Sequence, residues 1–210
     1  MKTHVTLWIA VAALSALLGF VGSAAAQAES GTGRELSLMG GFQMLNENDT
    51  AVPDRLVNLP LVATATYPLT RNWALEGDVA WMIPVNQSID VGMATKQDRK
   101  PPDLLSYQAS VRASLPLAGW TPYLVGGAGA VTFLSNTDAD RVPNLAESQT
   151  VFAINFGAGA TYALADHWAL RADFRELAAF PSNDAQGLSI DGNADAIWME
   201  RTIAGVAYRF

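Results

Sequence analysis

The chain has 210 residues, a formal net charge of -7 and no cysteine, with an isoelectric point of ≈ 4.7. That acidity excludes a nucleic-acid binder, whose phosphate partner calls for a basic face, and the missing thiols exclude both a disulfide staple and a lipid-bearing cysteine. The length suits one domain.

The chain opens on an export signal. Lys2 supplies the positive start, residues 7–21 an apolar stretch, and Ala24, Ala25 and Ala26 a run of small side chains fit for a peptidase. Cleavage is expected after Ala26 or after Ala28, so residues 1–26 are assigned to the signal peptide and 27–210 to a single folded domain. The competing reading, a retained membrane anchor, asks for roughly twenty apolar residues, more than this stretch offers. Beyond it no apolar run approaches the length of a membrane-spanning helix. Yet 50% of the chain is hydrophobic and only 16% charged. A closed barrel resolves that tension, because its strands show lipid only at every second residue.

From Glu35 onward, segments of ten residues or a little more carry apolar side chains at alternate positions, the period of a strand with two unlike faces. Strands are predicted near 35–45, 56–67, 73–83, 104–115, 122–134, 150–162, 168–179 and 197–210. In the third, Trp73, Leu75, Gly77, Val79, Trp81 and Ile83 are expected to face lipid, and Ala74, Glu76, Asp78 and Ala80 to face inward. In the fourth, Leu105, Tyr107, Ala109, Val111, Ala113 and Leu115 alternate with Ser106, Gln108, Ser110, Arg112 and Ser114. The connections alternate too. Short turns at 68–72, 116–121 and 163–167 are expected on the periplasmic side with both termini, and four longer loops outside. The fold class is thus all-β: an eight-stranded, antiparallel, up-and-down transmembrane barrel. A soluble barrel of the lipocalin kind, with its apolar residues pointing inward around a ligand, is the alternative.

The aromatic residues bear on that choice. Tyr67, Trp73, Trp120, Tyr123, Tyr162, Trp168, Tyr208 and Phe210 flank the short turns or the carboxyl end; Phe42, Trp81, Phe133, Phe152 and Trp198 lie toward the long loops. Two girdles at the lipid headgroup levels are expected, a sorting for which a soluble barrel has no use. The pattern Y-x-L-x-x-x-W-A-L-x-x-D occurs twice, at Tyr67 to Asp78 and at Tyr162 to Asp173. It marks either equivalent hairpins or convergence on one good turn.

At the carboxyl end, Gly205, Tyr208 and the terminal Phe210 resemble the signal by which the outer-membrane assembly machinery recognises its clients, a glycine followed by two aromatics at alternate positions. Ala204 departs from the polar residue common there. Together with Trp120-Thr121-Pro122-Tyr123, Gly126-Gly127-Ala128-Gly129, Gly157-Ala158-Gly159 and Arg171-Ala172-Asp173-Phe174-Arg175, these residues make the mature chain similar to the OmpA/OmpX-like family of small outer-membrane barrels. The resemblance implies residence in the cell outer membrane, contact with its lipid and lipopolysaccharide, and insertion by the barrel assembly machinery. It specifies activity poorly, since relatives include anchors, adhesins and narrow pores.

Catalysis is not expected. Barrel hydrolases and acyltransferases of this membrane depend on a histidine near the outer end to accept a proton. The two histidines here are His4, in the signal, and His167, in a short turn. No cysteine or histidine cluster offers a transition-metal site, and no cofactor is expected. Asp90, Asp98, Asp138, Asp140, Asp184, Asp191 and Asp195 fall in loops and could hold calcium or magnesium, or simply be solvated. The same period of two sends Glu76, Asp78, Arg112, Arg171, Asp173 and Arg175 into the lumen, with Glu76, Arg112 and Arg171 at similar heights. Such charges are expected to pair, since an isolated ion in a narrow interior is costly to desolvate. They form either a plug that fixes the barrel or the constriction of a narrow porin-like channel. The first reading makes the chain a non-enzymatic scaffold whose loops meet lipopolysaccharide, a surface or a host ligand.

Overall fold

The computed structural model describes residues 33–46, 56–85, 87–89, 97–99, 103–136, 145–182, 188 and 195–210. The expected export segment lies outside them, as do Asp90, Asp138, Asp140, Asp184, Asp191 and the side chain of Asp98.

The described residues form ten strands: β1 (Glu35–Asn46), β2 (Leu56–Pro68), β3 (Trp73–Pro84), β4 (Gln87–Ile89), β5 (Gln97–Arg99), β6 (Leu104–Ser114), β7 (Trp120–Phe133), β8 (Gln149–Ala163), β9 (Trp168–Phe180) and β10 (Ile197–Arg209). Eight of them close into a barrel in the order β1-β10-β9-β8-β7-β6-β3-β2, and every pairing is antiparallel. Each of the eight predicted strands is present within a few residues. The hairpin β4–β5 is an addition in the connection between β3 and β6. Its strands of three residues are too short to display a period of two.

The barrel's stagger follows from its register. A row of paired residues followed from Ala74 through Arg112, Val125, Gly157, Arg175, Arg201, Gln43 and Asn58 returns to β3 at Pro84, ten residues further along. Such a stagger tilts eight strands by roughly 40° and leaves an interior that side chains can fill.

Burial along β3 alternates without a break from Trp73 to Ile83, as predicted, with Glu76 and Asp78 inside. The wall carries Leu38, Leu61, Leu75, Val111, Leu124, Leu170 and Phe174, all exposed. Leu105 departs from its prediction. Its phase is outward, but it lies beside Leu104 at the very end of β6 and is buried.

The short turns are built alike. Leu69 and Thr70 both donate to the Trp73 carbonyl, and Leu164 and Ala165 donate to that of Trp168. The repeated sequence pattern therefore encodes one backbone solution, used twice. In the third turn Leu117 donates to the Trp120 carbonyl, and Gly119 takes a φ of 79°, which favours a residue without Cβ. At the seam Phe210 donates from its backbone nitrogen to Arg34, which holds both ends of the described chain at the short-turn end.

The interior is divided. Toward the long connections it is largely apolar: Val62, Met82, Leu104, Val131, Phe133, Leu177 and Met199 pack together, capped by Leu145 and Leu188 from the connections, with Gln43 and Asn58 buried beside them. Toward the short turns it is charged.

Candidate functional site

Glu35 begins β1, Glu76 and Asp78 lie on β3, Arg112 on β6, Arg171, Asp173 and Arg175 on β9, and Arg201 on β10. All face inward, because each holds the buried phase of its strand. The barrel's curvature then brings together residues far apart along the chain, such as Ser37 and Arg171, 134 positions apart.

Glu76 is the hub. Its carboxylate accepts from Arg171 Nη2 at 2.8 and 3.0 Å and from the hydroxyl of Thr66 at 3.1 Å. Arg175 Nη2 bonds to it as well, and Arg112 lies 3.7 Å away. Arg171 extends to Asp173 at 3.0 Å and to Thr64 at 3.1 Å. Arg175 donates from Nε to Asp173 at 2.7 Å and from Nη1 to Asp78 at 3.0 Å. Arg112 closes the lower edge with Glu35 at 3.1 Å and Thr161 at 3.1 Å. Arg201 is the least tied: Nη2 reaches Asp78 at 3.3 Å, while Nε and Nη1 have no hydrogen-bond partner among the described residues. Four carboxylates thus face four buried guanidinium groups, whose formal charges cancel, and the part-exposed Arg209 adds a contact to Glu35 at 3.2 Å. Few isolated ions could survive in so dry a place; shared and multiply hydrogen-bonded ones can.

All six residues that the sequence sends into the lumen meet in this network. Glu35, Arg201 and Tyr123 join them. Glu35 was legible in principle, since Glu35 and Ser37 alternate with Leu36 and Leu38 along β1; Arg201 was not, because it sits in the polar run Glu200-Arg201-Thr202 of β10.

Tyr123 corrects the predicted girdle. It is 3% exposed, accepts from Arg171 Nε at 2.8 Å and donates to Asp173 at 2.7 Å. The guanidinium carbon of Arg112 sits 3.9 Å from its ring centroid, close enough for cation–π attraction. The reason is phase: Tyr123 shares the inward face of β7 with Val125 and Val131, whereas Trp120 and Leu124 are exposed. Phe133 is likewise inside, in the apolar plug. A Cβ on Gly159 would run into the Tyr123 ring and hydroxyl, so the β8 glycine makes room for the tyrosine.

The remaining aromatics are outside. Trp73, Trp120, Tyr162 and Trp168 are exposed beside the short turns, with Tyr67 half-buried among them; Trp81 and Trp198 are exposed toward the other end. Trp120 meets Tyr162 at 4.7 Å, and Trp168, Tyr208 and Phe210 form a chain of edge contacts at 5.0 Å. Gly205 faces the inner side of β10 against the backbone of β1. His167 lies in its turn, exposed, its Nδ1 2.9 Å from the Arg209 carbonyl. Asp195 is exposed at the start of the final strand's approach. Groups of three or more histidine, cysteine or carboxylate side chains able to hold a metal do not occur among the described residues.

The architecture has relatives. The family profile for the outer membrane protein beta-barrel domain matches residues 13–210. The chain belongs to that family. This outer-membrane barrel is similar in fold to neisserial surface protein A, with a TM-score of 0.59 at 15% identity over 87% of this chain and 100% of that one. Further likenesses include the N-terminal barrel domain of Pseudomonas aeruginosa OprF (TM-score 0.48, 17% identity, 87% of this chain, 100% of that one). Another is Ail, the attachment invasion locus protein of Yersinia pestis (TM-score 0.48, 15% identity, 86% and 100%). Identities this low speak to fold alone. No curated protein matches the outer-membrane barrel in sequence.

Proposed function

We propose that the barrel is a closed, non-catalytic scaffold of the outer membrane that acts through its long connections, which meet lipopolysaccharide, a surface or a host ligand. The observation that carries this reading is the double closure of the interior. Glu76, Arg171, Arg175 and Asp173 fill the half toward the short turns, and Met82, Phe133, Leu177 and Met199 the other half, all buried. A narrow channel would need a continuous wet path, and the packed plug offers no support for one. The short turns and both termini face the periplasm in this reading, the four long connections face outward, and the two aromatic rings mark the headgroup levels. Gly205, Tyr208 and Phe210 serve as the assembly signal, and residues 1–26 as the cleaved export peptide.

Two measurements test it. Purified barrel refolded into a planar bilayer should stay silent, and cells in which the long connections are shortened should lose surface binding while keeping barrel levels. Steady conductance by the wild-type protein, or surface binding indifferent to the connections, refutes the proposal.

A further inference from the structure

One row of the barrel interior is left unsatisfied. Arg201 on β10 stands directly opposite Gln43 on β1, and Gln43 directly opposite Asn58 on β2. All three side chains face inward and are fully buried, toward the long-connection ends of their strands. Residues so paired on one face of a sheet lie about 5 Å apart at Cβ. Yet they do not satisfy one another: Gln43 Oε1, Asn58 Nδ2 and Oδ1, and Arg201 Nε and Nη1 have no hydrogen-bond partner among the described residues. Gln43 turns its amide nitrogen to the Met82 sulfur at 3.0 Å, a weak acceptor, and Arg201 hydrogen-bonds only through Nη2, to Asp78 at 3.3 Å.

Buried polar groups are almost always hydrogen-bonded, and a bare one is costly. Five such atoms gathered on three adjacent strands call for a guest, and they also fix its chemistry. Arg201 and the Asn58 nitrogen offer only N–H donors, whereas Gln43 Oε1 and Asn58 Oδ1 only accept. The guest must therefore accept and donate at once. Arg201 Nε and Nη1 open on different edges of the guanidinium plane, so a single bidentate oxyanion does not serve both. Glu35, Glu76, Asp78 and Asp173 already balance the four buried arginines, and an added anion leaves a charge unpaired in a narrow interior. Water meets every demand, being small, neutral and able to make about three hydrogen bonds when buried.

We propose that Gln43, Asn58 and Arg201 form a binding site for ordered internal water, about two molecules at that bonding number. The water hydrates Arg201, which the ion network meets at one point only, and it marks the level where the charged half of the interior passes into the largely apolar half. The inference goes beyond the scaffold reading and does not depend on what the long connections meet.

Barrel carrying isotope-labelled arginine is refolded in neutral micelles, with folding verified by heat-modifiable gel mobility. Magnetic cross-relaxation from water is read at each arginine Hε, and long-lived internal waters are counted by relaxation dispersion of the water signal. Arg201 Hε is expected to show a cross-peak of the sign that marks a bound water, and Arg175 Hε, held by Asp173 at 2.7 Å, to show none. Gln43→Leu with Asn58→Leu removes the acceptors and weakens the Arg201 peak several-fold. Adding Arg201→Met to that pair lowers the dispersion amplitude by about two waters. The contrast between Arg201 and Arg175 in the wild-type barrel decides the matter even where a variant fails to fold. A missing bound-water peak at Arg201, indifference to the leucine pair, or saturable movement of the Arg201 Hε resonance on titration with sodium chloride, which assigns the site to an anion, would each overturn the proposal.

Discussion

Replacing Glu76 by glutamine preserves shape and removes one of four negative charges from the sealed network. Arg171, Arg175 and Arg112 then lose their common partner: two of them hydrogen-bond to Glu76, and the third lies 3.7 Å away. Breaking one side of a buried ion pair costs about 3–5 kcal/mol. With a urea slope of roughly 2–3 kcal/mol/M, the unfolding midpoint should fall by about 1–2.5 M. The second variant, Glu76→Leu with Arg171→Leu, removes a charge of each sign. It should cost less than its two single changes summed, by about 1–3 kcal/mol, because the residues share partners. Urea titration of the refolded barrel, followed by tryptophan emission and by gel mobility, reads both quantities. Additive single and double costs, or a Glu76→Gln midpoint within about 0.3 M of wild type, would refute a network in which charges are held by one another.

Other variants separate the parts of the interior. Tyr123→Phe deletes a hydroxyl that bridges Arg171 and Asp173 and should cost about 1–3 kcal/mol in the same titration. Arg201→Met removes the arginine with the fewest bonds; it should shift the midpoint by less than half of what Arg171→Met does. Gly159→Val pushes a side chain into Tyr123 and should destabilise by about 1–3 kcal/mol, partly relieved when combined with Tyr123→Ala. Deleting Phe210 should reduce the amount of barrel inserted in cells several-fold while leaving refolding in micelles intact, as an assembly signal requires; equal losses in both settings would assign Phe210 to stability instead.

The eight strands and most of their facing were legible in the sequence, because alternation of side chains is a local property that each strand writes for itself. On β3 the run from Trp73 to Ile83 leaves no ambiguity, and Glu76 and Asp78 could be sent inward without any partner in view. The same locality explains the error at Tyr123. Its strand continues as Gly126-Gly127-Ala128-Gly129, where nearly every side chain is missing, so nothing downstream reveals the phase, and height along the strand was no substitute.

What tertiary structure alone decided is who meets whom. A stagger of ten residues around the closed sheet sets Arg171 of β9 against Glu76 of β3 and Tyr123 of β7, a choice made by curvature and register that no single strand contains. Closure also divided the interior into a charged half and a largely apolar half. The sequence by itself determined an outer-membrane β-barrel pattern with ions inside, since composition and period are carried residue by residue. Only the closed fold determined which of those ions meet, because pairing across a barrel depends on residues that lie far apart along the chain.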